Sequence, residues 1–320
     1  MELWARLRVR PWYGARPEVT MTPWWMLLLA CGGADPADPS DPARADDSAT
    51  PVVCDGSFRA PTVLATGFEV DGITGTEGLA FSPDGRLFVG GSGVTGGGYV
   101  AEVFPSGDWE MVASVPSSVG MVWHEGELLV ATGDVGDGTG GLVGVDVDSG
   151  GVRVVASGIP SANFPAVTPW GTVLVSSPSG TTLWEVDGNE VREWVSGVPS
   201  PNGMAFSPDG RTLYVANTYD APSTVAAIDV VDEEAGAIGV LATLPDGSTQ
   251  DGVAIDAEGH LYVVNNLPGT IVRIAPDGTW ETIAEGVAFG ASLAFGVGDY
   301  DPCALYVSSL FSADVFEVAR

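Results

Sequence analysis

The sequence contains no lysine: its 12 basic residues are all arginine, and they face 42 aspartates and glutamates in a chain of 320 residues. The formal net charge of -30 argues against a nucleic-acid partner, because neutralised phosphates dominate the affinity of proteins for DNA and RNA. The most direct consequence of such acidity is solubility. We therefore expect no binding to nucleic acid.

Histidine is nearly absent as well, with only His124 and His260. Both lie beside the turn that follows the first strand of a repeated unit described below. That turn is at the opposite end of the strand from the candidate site residues. A serine triad or a histidine-assisted lactonase needs a histidine beside the reacting groups. The sequence therefore predicts neither kind of site.

The sequence also lacks an apolar run of the roughly 20 residues that span a bilayer. The run from Met21, MTPWWMLLLA, has the length of a signal-peptide core and ends at Cys31, in a motif that resembles a bacterial lipobox. That resemblance implies export to the bacterial cell envelope, periplasmic or at the cell surface, with a lipid anchor on Cys31. Alternatively, Cys31 is an ordinary thiol in a degraded leader. The arginine-rich stretch before Met21 favours Met21 over Met1 as the start.

Three cysteines are present, and Cys31 leaves Cys54 and Cys303 as an even pair. An oxidising compartment favours a disulfide between them. The residues after Cys31 are mainly Pro, Ala, Asp and Ser, which cannot supply a core. We expect a leader over 1–30, a disordered tether over 31–53 and one folded domain over 54–320.

The folded part is rich in turn residues, with 44 Gly and 23 Pro, and it repeats. A period near 40 residues with four short strands per unit is typical of a β-propeller. The sequence predicts an all-β, six-bladed propeller. The innermost strands of its six units begin EGLAFSPDG, VGMVWHEG, NFPAVTPWG, NGMAFSPDG, DGVAIDAEG and ASLAFGVGD.

Tight turns with the sequences PDG, AEG and PWG join the first two strands of these units, since Pro presets φ and Gly accepts positive φ. The segment RAPTVLATGF before the first unit has no hairpin partner of its own. We expect it to be the outer strand of the last blade, which closes the ring and removes an exposed sheet edge. A Cys54–Cys303 bond would then join the two ends of the ring.

The first residues of the six inner strands should meet at one rim of the central channel, because these strands run in the same sense. Around the ring they are Glu77, Val119, Asn163, Asn202, Asp251 and Ala291. Buried carboxylates and amides need compensation, and their oxygens suit a hard divalent cation, with Ca²⁺ ahead of Mg²⁺ or Mn²⁺. Zn²⁺ normally takes His or Cys ligands. Polar residues around trapped water are the alternative.

The segments EGLAFSPDGRLFV, PNGMAFSPDGRTLYVANT and DGVAIDAEGHLYVVNN resemble the regucalcin/gluconolactonase (senescence marker protein, SMP-30-like) family, over roughly Thr62 to the C-terminus. The resemblance implies Glu77, Asn202 and Asp251 as ligands of one divalent cation, with Asp251 also a candidate general base. It further implies that Asn163 helps to hold the substrate. Family members that hydrolyse sugar lactones have R-x-N-D-G here, whereas this chain has Ser161 and Phe164 in place of the arginine and the aspartate.

The resulting expectation is a monomeric, divalent-metal-dependent hydrolase of small lactones or related esters. Four residues at the ends of second strands face the same rim and are candidate substrate contacts, or else simple turn formers: Asn217, Thr218, Asn265 and Asn266. The alternative function is a non-catalytic, metal-containing propeller that binds a small ligand or a protein partner. The changes at Ser161 and Phe164 favour that alternative.

Overall fold

A computed structural model describes Cys54 and residues 56–70, 72–93, 97–133 and 140–320. The predicted leader, the tether and Cys31 lie outside the described residues. Within the described ranges the regular secondary structure is β-strand, and no helix there is long and apolar enough to cross a membrane.

The described part of the chain contains 26 strands, numbered in chain order. They are β1 (Thr62–Thr66), β2 (Glu69–Val70), β3 (Ile73–Thr74), β4 (Gly78–Phe81), β5 (Leu87–Ser92), β6 (Gly98–Val103), β7 (Trp109–Val115), β8 (Met121–His124), β9 (Glu127–Thr132), β10 (Gly141–Asp146), β11 (Gly151–Ser157), β12 (Pro165–Val167), β13 (Val173–Ser176), β14 (Thr182–Asp187), β15 (Glu190–Ser196), β16 (Pro201–Phe206), β17 (Thr212–Asn217), β18 (Thr224–Val231), β19 (Glu234–Thr243), β20 (Gln250–Ile255), β21 (Leu261–Asn265), β22 (Thr270–Ile274), β23 (Trp280–Glu285), β24 (Gly290–Phe295), β25 (Leu305–Ser309) and β26 (Asp314–Val318).

These strands form six four-stranded antiparallel sheets and one short ribbon, β2–β3. Blades 1 to 5 are β4–β7, β8–β11, β12–β15, β16–β19 and β20–β23 in sequence order, and blade 6 has the order β1-β26-β25-β24. The innermost strands contact one another in a closed cycle, β4 to β8, β12, β16, β20, β24 and back to β4. The predicted six-bladed β-propeller is confirmed.

The ring closes as the sequence predicts. Strand β1 pairs with β26, with Thr62 opposite Glu317 and Thr66 opposite Asp314, so the start of the domain supplies the outermost strand of the last blade. Cys54 and Cys303 are joined by a disulfide across 249 residues of sequence, and this predicted bond is confirmed. Both ends of the described propeller are therefore held in blade 6.

Short polar turns set the direction of the inner hairpins. In blade 1 the Ser82 N–H donates to Arg86 O at 2.9 Å, and Gly85 adopts a φ of +91°. In blade 4 the equivalent Ser207 N–H donates to Thr212 O at 2.8 Å. Glycine adopts a positive φ without the steric cost that a side chain brings. Each blade pairs its inner strand antiparallel with the strand that follows it, in the same order around the ring. All six inner strands therefore begin at the same rim, here called the upper rim.

The core lies between the blades, where large side chains such as Tyr99, Phe88 and Tyr262 are fully buried. Nearer the channel the packing is tighter still. The residue after the first residue of the repeat unit is glycine in four blades, and a Cβ on Gly203 would lie 2.3 Å from Asp251 O, in the next blade. Backbone against backbone therefore brings the first residues of neighbouring inner strands close together.

Candidate metal centre

The polar residues predicted to meet at the upper rim do so. Asn202 and Asp251 lie in β16 and β20, Glu77 directly precedes β4, and Asn163 lies two residues before β12. Asn202 and Asp251 are only 5% and 6% exposed, whereas Glu77 and Asn163 are partly buried. The remaining two positions carry Val119 and Ala291, so the polar groups come from four of the six blades.

Burial raises the pKa of both carboxyl groups of the site. Burial raises the pKa of Glu77 from 4.5 to about 8, the charge of Asp251 raises it further, and a hydrogen bond with Asn163 opposes the rise. Burial likewise raises the pKa of Asp251 from 3.8 to about 7, against polar contacts from Asn266 and Asn202. These interactions show that Glu77, Asn163, Asn202 and Asp251 share one site. Two carboxyl groups that share a site shielded from water need a positive charge nearby before both can ionise.

The Asn202 amide is oriented by a short relay. Its Nδ2 donates to Thr218 Oγ1 at 2.9 Å, and the Thr218 hydroxyl donates to Gln250 O at 2.6 Å. The Asn202 Oδ1 is buried and has no hydrogen-bond partner among the described residues. A buried carbonyl oxygen without a donor is rare, and here the relay leaves this oxygen available to a cation.

Asp251 is held by Asn266, which the sequence predicts only as a candidate substrate contact. Asn266 Nδ2 donates to Asp251 Oδ2 at 2.8 Å and also bonds the backbone oxygen of Gly290. Asn266 directly follows Asn265 at the end of β21, and the sequence pattern gave no reason to separate the two. Gln250 was missed: it is fully buried, with neither side-chain Oε1 nor Nε2 paired in the described structure. Its place one residue before Asp251 is the only signal the sequence offers.

The donors present fit a hard divalent cation. They are two carboxylates, the unpaired Oδ1 of Asn202 and the amide of Asn163, all oxygen ligands of the kind that Ca²⁺, Mg²⁺ and Mn²⁺ take. Among the described residues no three His, Cys, Asp or Glu side chains come together, so a ligand set typical of Zn²⁺ is not found there. Glu77, Asn202 and Asp251 are thus the groups that would hold a cation.

The predicted substrate contacts are placed differently from one another. Thr218 belongs to the relay behind Asn202. Asn217 and Asn265 are 1% and 2% exposed, and their Nδ2 atoms donate to Thr224 Oγ1 at 3.0 Å and Thr270 Oγ1 at 3.1 Å. Each of the two asparagines thereby ties the end of its strand to the next strand. A direct contact of these side chains with substrate stays a prediction.

The two residues that differ from the sugar-lactonase pattern point to different places. Ser161 lies in the loop at the upper rim, where the hydroxyl of Ser179 donates to it. Phe164 packs against the core cluster that contains Ala166 and Met204, and it lines an apolar cavity of about 480 Å³ between the inner strands. The Phe164 ring therefore belongs to the channel interior.

The histidines lie at the opposite end of the inner strands, as predicted. His124 ends β8, and His260 follows the turn after β20. His260 Nδ1 lies 3.1 Å from Asp256 Oδ2, and its Nε2 lies 2.9 Å from an Arg273 guanidinium nitrogen. Neither histidine reaches the upper rim.

One known protein family matches more than half of this chain. The family model described as the SMP-30/Gluconolactonase/LRE-like region matches residues 96–311. A comparison with curated protein sequences finds no significant match.

Several solved structures share the fold. A gluconolactonase from Xanthomonas campestris is 18% identical with a TM-score of 0.66, covering 81% of this chain and 89% of that one. A calcium-binding protein, regucalcin, from Agrobacterium tumefaciens is 21% identical with a TM-score of 0.64, covering 82% and 93%. A luciferin-regenerating enzyme is 17% identical with a TM-score of 0.64, covering 82% and 96%.

Proposed function

The chain belongs to the SMP-30/gluconolactonase/LRE-like family, and on that basis we propose that it is a divalent-metal-dependent hydrolase of lactones or related esters. One observation supports this most. The buried carboxyls of Glu77 and Asp251 share a site with an Asn202 Oδ1 that has no hydrogen-bond partner among the described residues. Such a site is costly as it stands and becomes favourable around a cation.

A cation bound by Glu77, Asn202 and Asp251 would supply Lewis-acid polarisation of the ester carbonyl and charge stabilisation of the oxygen that becomes negative. Asp251 is also the candidate base. Burial raises its pKa to about 7 in the cation-free site, and a bound cation would lower that pKa and favour the carboxylate form that accepts a proton.

Hydrolysis would involve two proton transfers through Asp251. Asp251 removes a proton from the attacking water, the resulting hydroxide adds to the carbonyl carbon, and the bond from that carbon to the ring oxygen breaks. The ring oxygen leaves with the proton that Asp251 held, so the product is a hydroxy acid. Asn266 fixes the orientation of the Asp251 carboxylate, and Asn163 forms a hydrogen bond with Glu77.

The test combines metal removal with one substitution. The protein is treated with EDTA, assayed on a panel of lactones and aryl esters, and assayed again after addition of Ca²⁺, Mg²⁺, Mn²⁺ or Zn²⁺. We expect activity to vanish with EDTA and to return with one or more of these ions. Asp251→Ala should lose both cation binding, measured by titration calorimetry, and hydrolysis.

The control is Asp277→Ala, an exposed acid in a turn of the same blade, which should behave like the wild type. Unchanged hydrolysis in Asp251→Ala would refute the assigned role of Asp251. A protein that binds the cation at Asp251 but hydrolyses nothing in the panel would favour the alternative, a non-catalytic propeller with a bound ion.

A further inference from the structure

The upper rim carries exposed apolar side chains at one repeated position. The residue two places after the second strand is Tyr219 in blade 4, Leu267 in blade 5 and Phe311 in blade 6. They are 76%, 68% and 69% exposed. Single exposed apolar residues are ordinary, but three at the same position of consecutive blades form an arc around the candidate metal centre.

A fourth exposed apolar residue, Phe289, adjoins this arc in blade 6. Its ring meets that of Phe311 edge to face, with centroids 5.2 Å apart. It is 39% exposed, and two residues later in the chain Ala291 is fully buried and apolar. We call Phe289 and Phe311 the aromatic pair.

The aromatic pair lies beside both carboxylate ligands. On the side of blade 5, Asn266 bonds both Asp251 Oδ2 and the backbone oxygen of Gly290, the neighbour of Phe289. On the side of blade 1, the backbone N–H of Thr76, the neighbour of Glu77, donates to Ser309 O at 2.7 Å. Blade 6 stands between these two blades, so the pair occupies the sector of the rim between Asp251 and Glu77.

Phe289 stands at a position where the repeat imposes an unfavourable backbone conformation on it. The residue two places before the first residue of the repeat unit has a φ of +52° at Ser161, +44° at Ser200, +45° at Thr249 and +51° at Phe289. Bulky side chains disfavour positive φ. Ser and Thr are smaller, and only blade 6 places an aromatic ring at this position.

Phenylalanine in place of serine or threonine at this position also removes a hydrogen bond. In blade 4 the Ser200 hydroxyl accepts from the Tyr219 N–H at 3.3 Å, and in blade 5 the Thr249 hydroxyl accepts from the Leu267 N–H at 3.0 Å. Phe289 has no hydroxyl, and its ring contacts Phe311 instead. The fold alone would be served better by serine, so the ring at this position calls for a role outside folding.

The opposite sector of the rim, over blades 3 and 4, carries polar groups beside the exposed Tyr219 of blade 4. Asn163 and Asn202 form its floor, with Ser161 and Ser200 in the loops that lead into their strands. A substrate whose reacting ester lies at the carboxylates can therefore place a polar part over blades 3 and 4 and an apolar part over blade 6.

We propose that the aromatic pair binds the apolar group of an alkyl- or aryl-substituted lactone, so that such substrates are preferred over small unsubstituted or polyhydroxylated lactones. This inference rests on the proposed hydrolase function. Apolar contact with flat aromatic faces suits an alkyl chain or an aryl ring and gives nothing to hydroxyl groups.

The experiment compares kcat/KM for γ-nonanolactone, γ-butyrolactone and glucono-1,5-lactone in the Ca²⁺-loaded protein. Wild type should prefer γ-nonanolactone. In the Phe289→Ser, Phe311→Ser double variant, the ratio of kcat/KM for γ-nonanolactone to that for γ-butyrolactone should fall about ten-fold, mainly through KM, as expected for loss of a few methylene contacts. The control Val154→Ser removes an exposed apolar side chain of blade 2 and should leave the ratio unchanged.

Phe289→Ser alone separates a binding role from a structural one. Serine matches the residue of blades 3 and 4 at this position, so the melting temperature should not fall although the ratio does. A lower melting temperature with an unchanged ratio would overturn the proposal in favour of a structural role. Loss of binding to phosphatidylethanolamine/phosphatidylglycerol vesicles with an unchanged ratio would overturn it in favour of a membrane contact.

Calorimetry with an inert alkyl δ-lactam separates failure of this inference from failure of the hydrolase proposal. Turnover without alkyl preference overturns the inference and leaves the hydrolase. Lactam binding that depends on the aromatic pair, without turnover of any lactone or ester, supports the apolar site and refutes the hydrolase. Neither binding nor turnover refutes both.

Discussion

Replacing Glu77 by glutamine should stabilise the cation-free protein and abolish its response to calcium. In the fold the pKa of Glu77 is raised from 4.5 to about 8, so the folded chain keeps a proton that the unfolded chain has released. Raising the pH from about 4.5 to 8 therefore removes stability from the cation-free protein. Glutamine carries no charge, so this part of the pH dependence should disappear.

The magnitude follows from the pKa values. One pKa unit corresponds to about 1.4 kcal/mol, so Glu77 should cost the cation-free fold on the order of 4 kcal/mol at pH 8 and less than about 1 kcal/mol at pH 5. Asp251, with its pKa raised to about 7, adds a loss of the same sign over a lower pH range. A cation at 100 times its dissociation constant returns about 2.7 kcal/mol to the wild type.

The assay is urea unfolding at pH 5 and pH 8, in EDTA and in excess Ca²⁺. In EDTA at pH 8, Glu77→Gln should exceed the wild type by about 2 to 4 kcal/mol, and the two should nearly coincide at pH 5. Calcium should stabilise the wild type and leave the variant unchanged. Glu110→Gln, an exposed residue of the same blade, serves as the matched control.

Two results would refute this reasoning. If Glu77→Gln is no more stable than the wild type in EDTA at pH 8, burial and the charge of Asp251 do not raise the pKa of Glu77 as the structure implies. If Ca²⁺ stabilises the variant as much as the wild type, the cation binds elsewhere.

Two further predictions concern the support of the site and the packing of the channel. Thr218→Val keeps the shape of the side chain but removes the hydroxyl that accepts from the Asn202 amide. The Ca²⁺ affinity, measured by calorimetry, should therefore fall about ten-fold. The control Thr243→Val changes an exposed residue of the same blade and should bind Ca²⁺ as the wild type does. Gly203→Ala would place a Cβ 2.3 Å from a backbone oxygen of the next blade and should destabilise by about 2 kcal/mol or more, measured by urea unfolding. Gly239→Ala, whose Cβ would meet nothing nearer than 3.7 Å, is the control, and equal stability of the two variants would contradict the close approach of the inner strands.

Much of the fold could be predicted because it is repeated. A pattern that recurs six times identifies the inner strands and their turns even where a single copy is ambiguous. Strand β1 was placed in blade 6 because it lacked a hairpin partner, and the Cys54–Cys303 bond followed from the same closure. Since the inner strands share one direction, the rim positions of Glu77, Asn202 and Asp251 followed as well.

The second layer of the site could not be predicted. Asn265 and Asn266 are adjacent and chemically identical, yet Asn265 ties its strand to Thr270 while Asn266 holds Asp251. Alternation along a chain directs neighbouring side chains to different places, but which one meets a ligand depends on the neighbouring blade. Phe164 shows the same limit, since its ring turns into the channel interior.

By itself the sequence determined the number of blades, the closure of the ring and which oxygen-bearing residues reach the upper rim, because periodicity and turn chemistry are local properties. Only the tertiary structure decided that the charge of Asp251 acts on the Glu77 carboxyl. It also decided that the buried Oδ1 of Asn202 has no hydrogen-bond partner among the described residues. The contact of Phe289, in its positive-φ conformation, with Phe311 is likewise a tertiary property. Those properties are interactions between blades. They depend on distances and burial that arise only when the ring is closed.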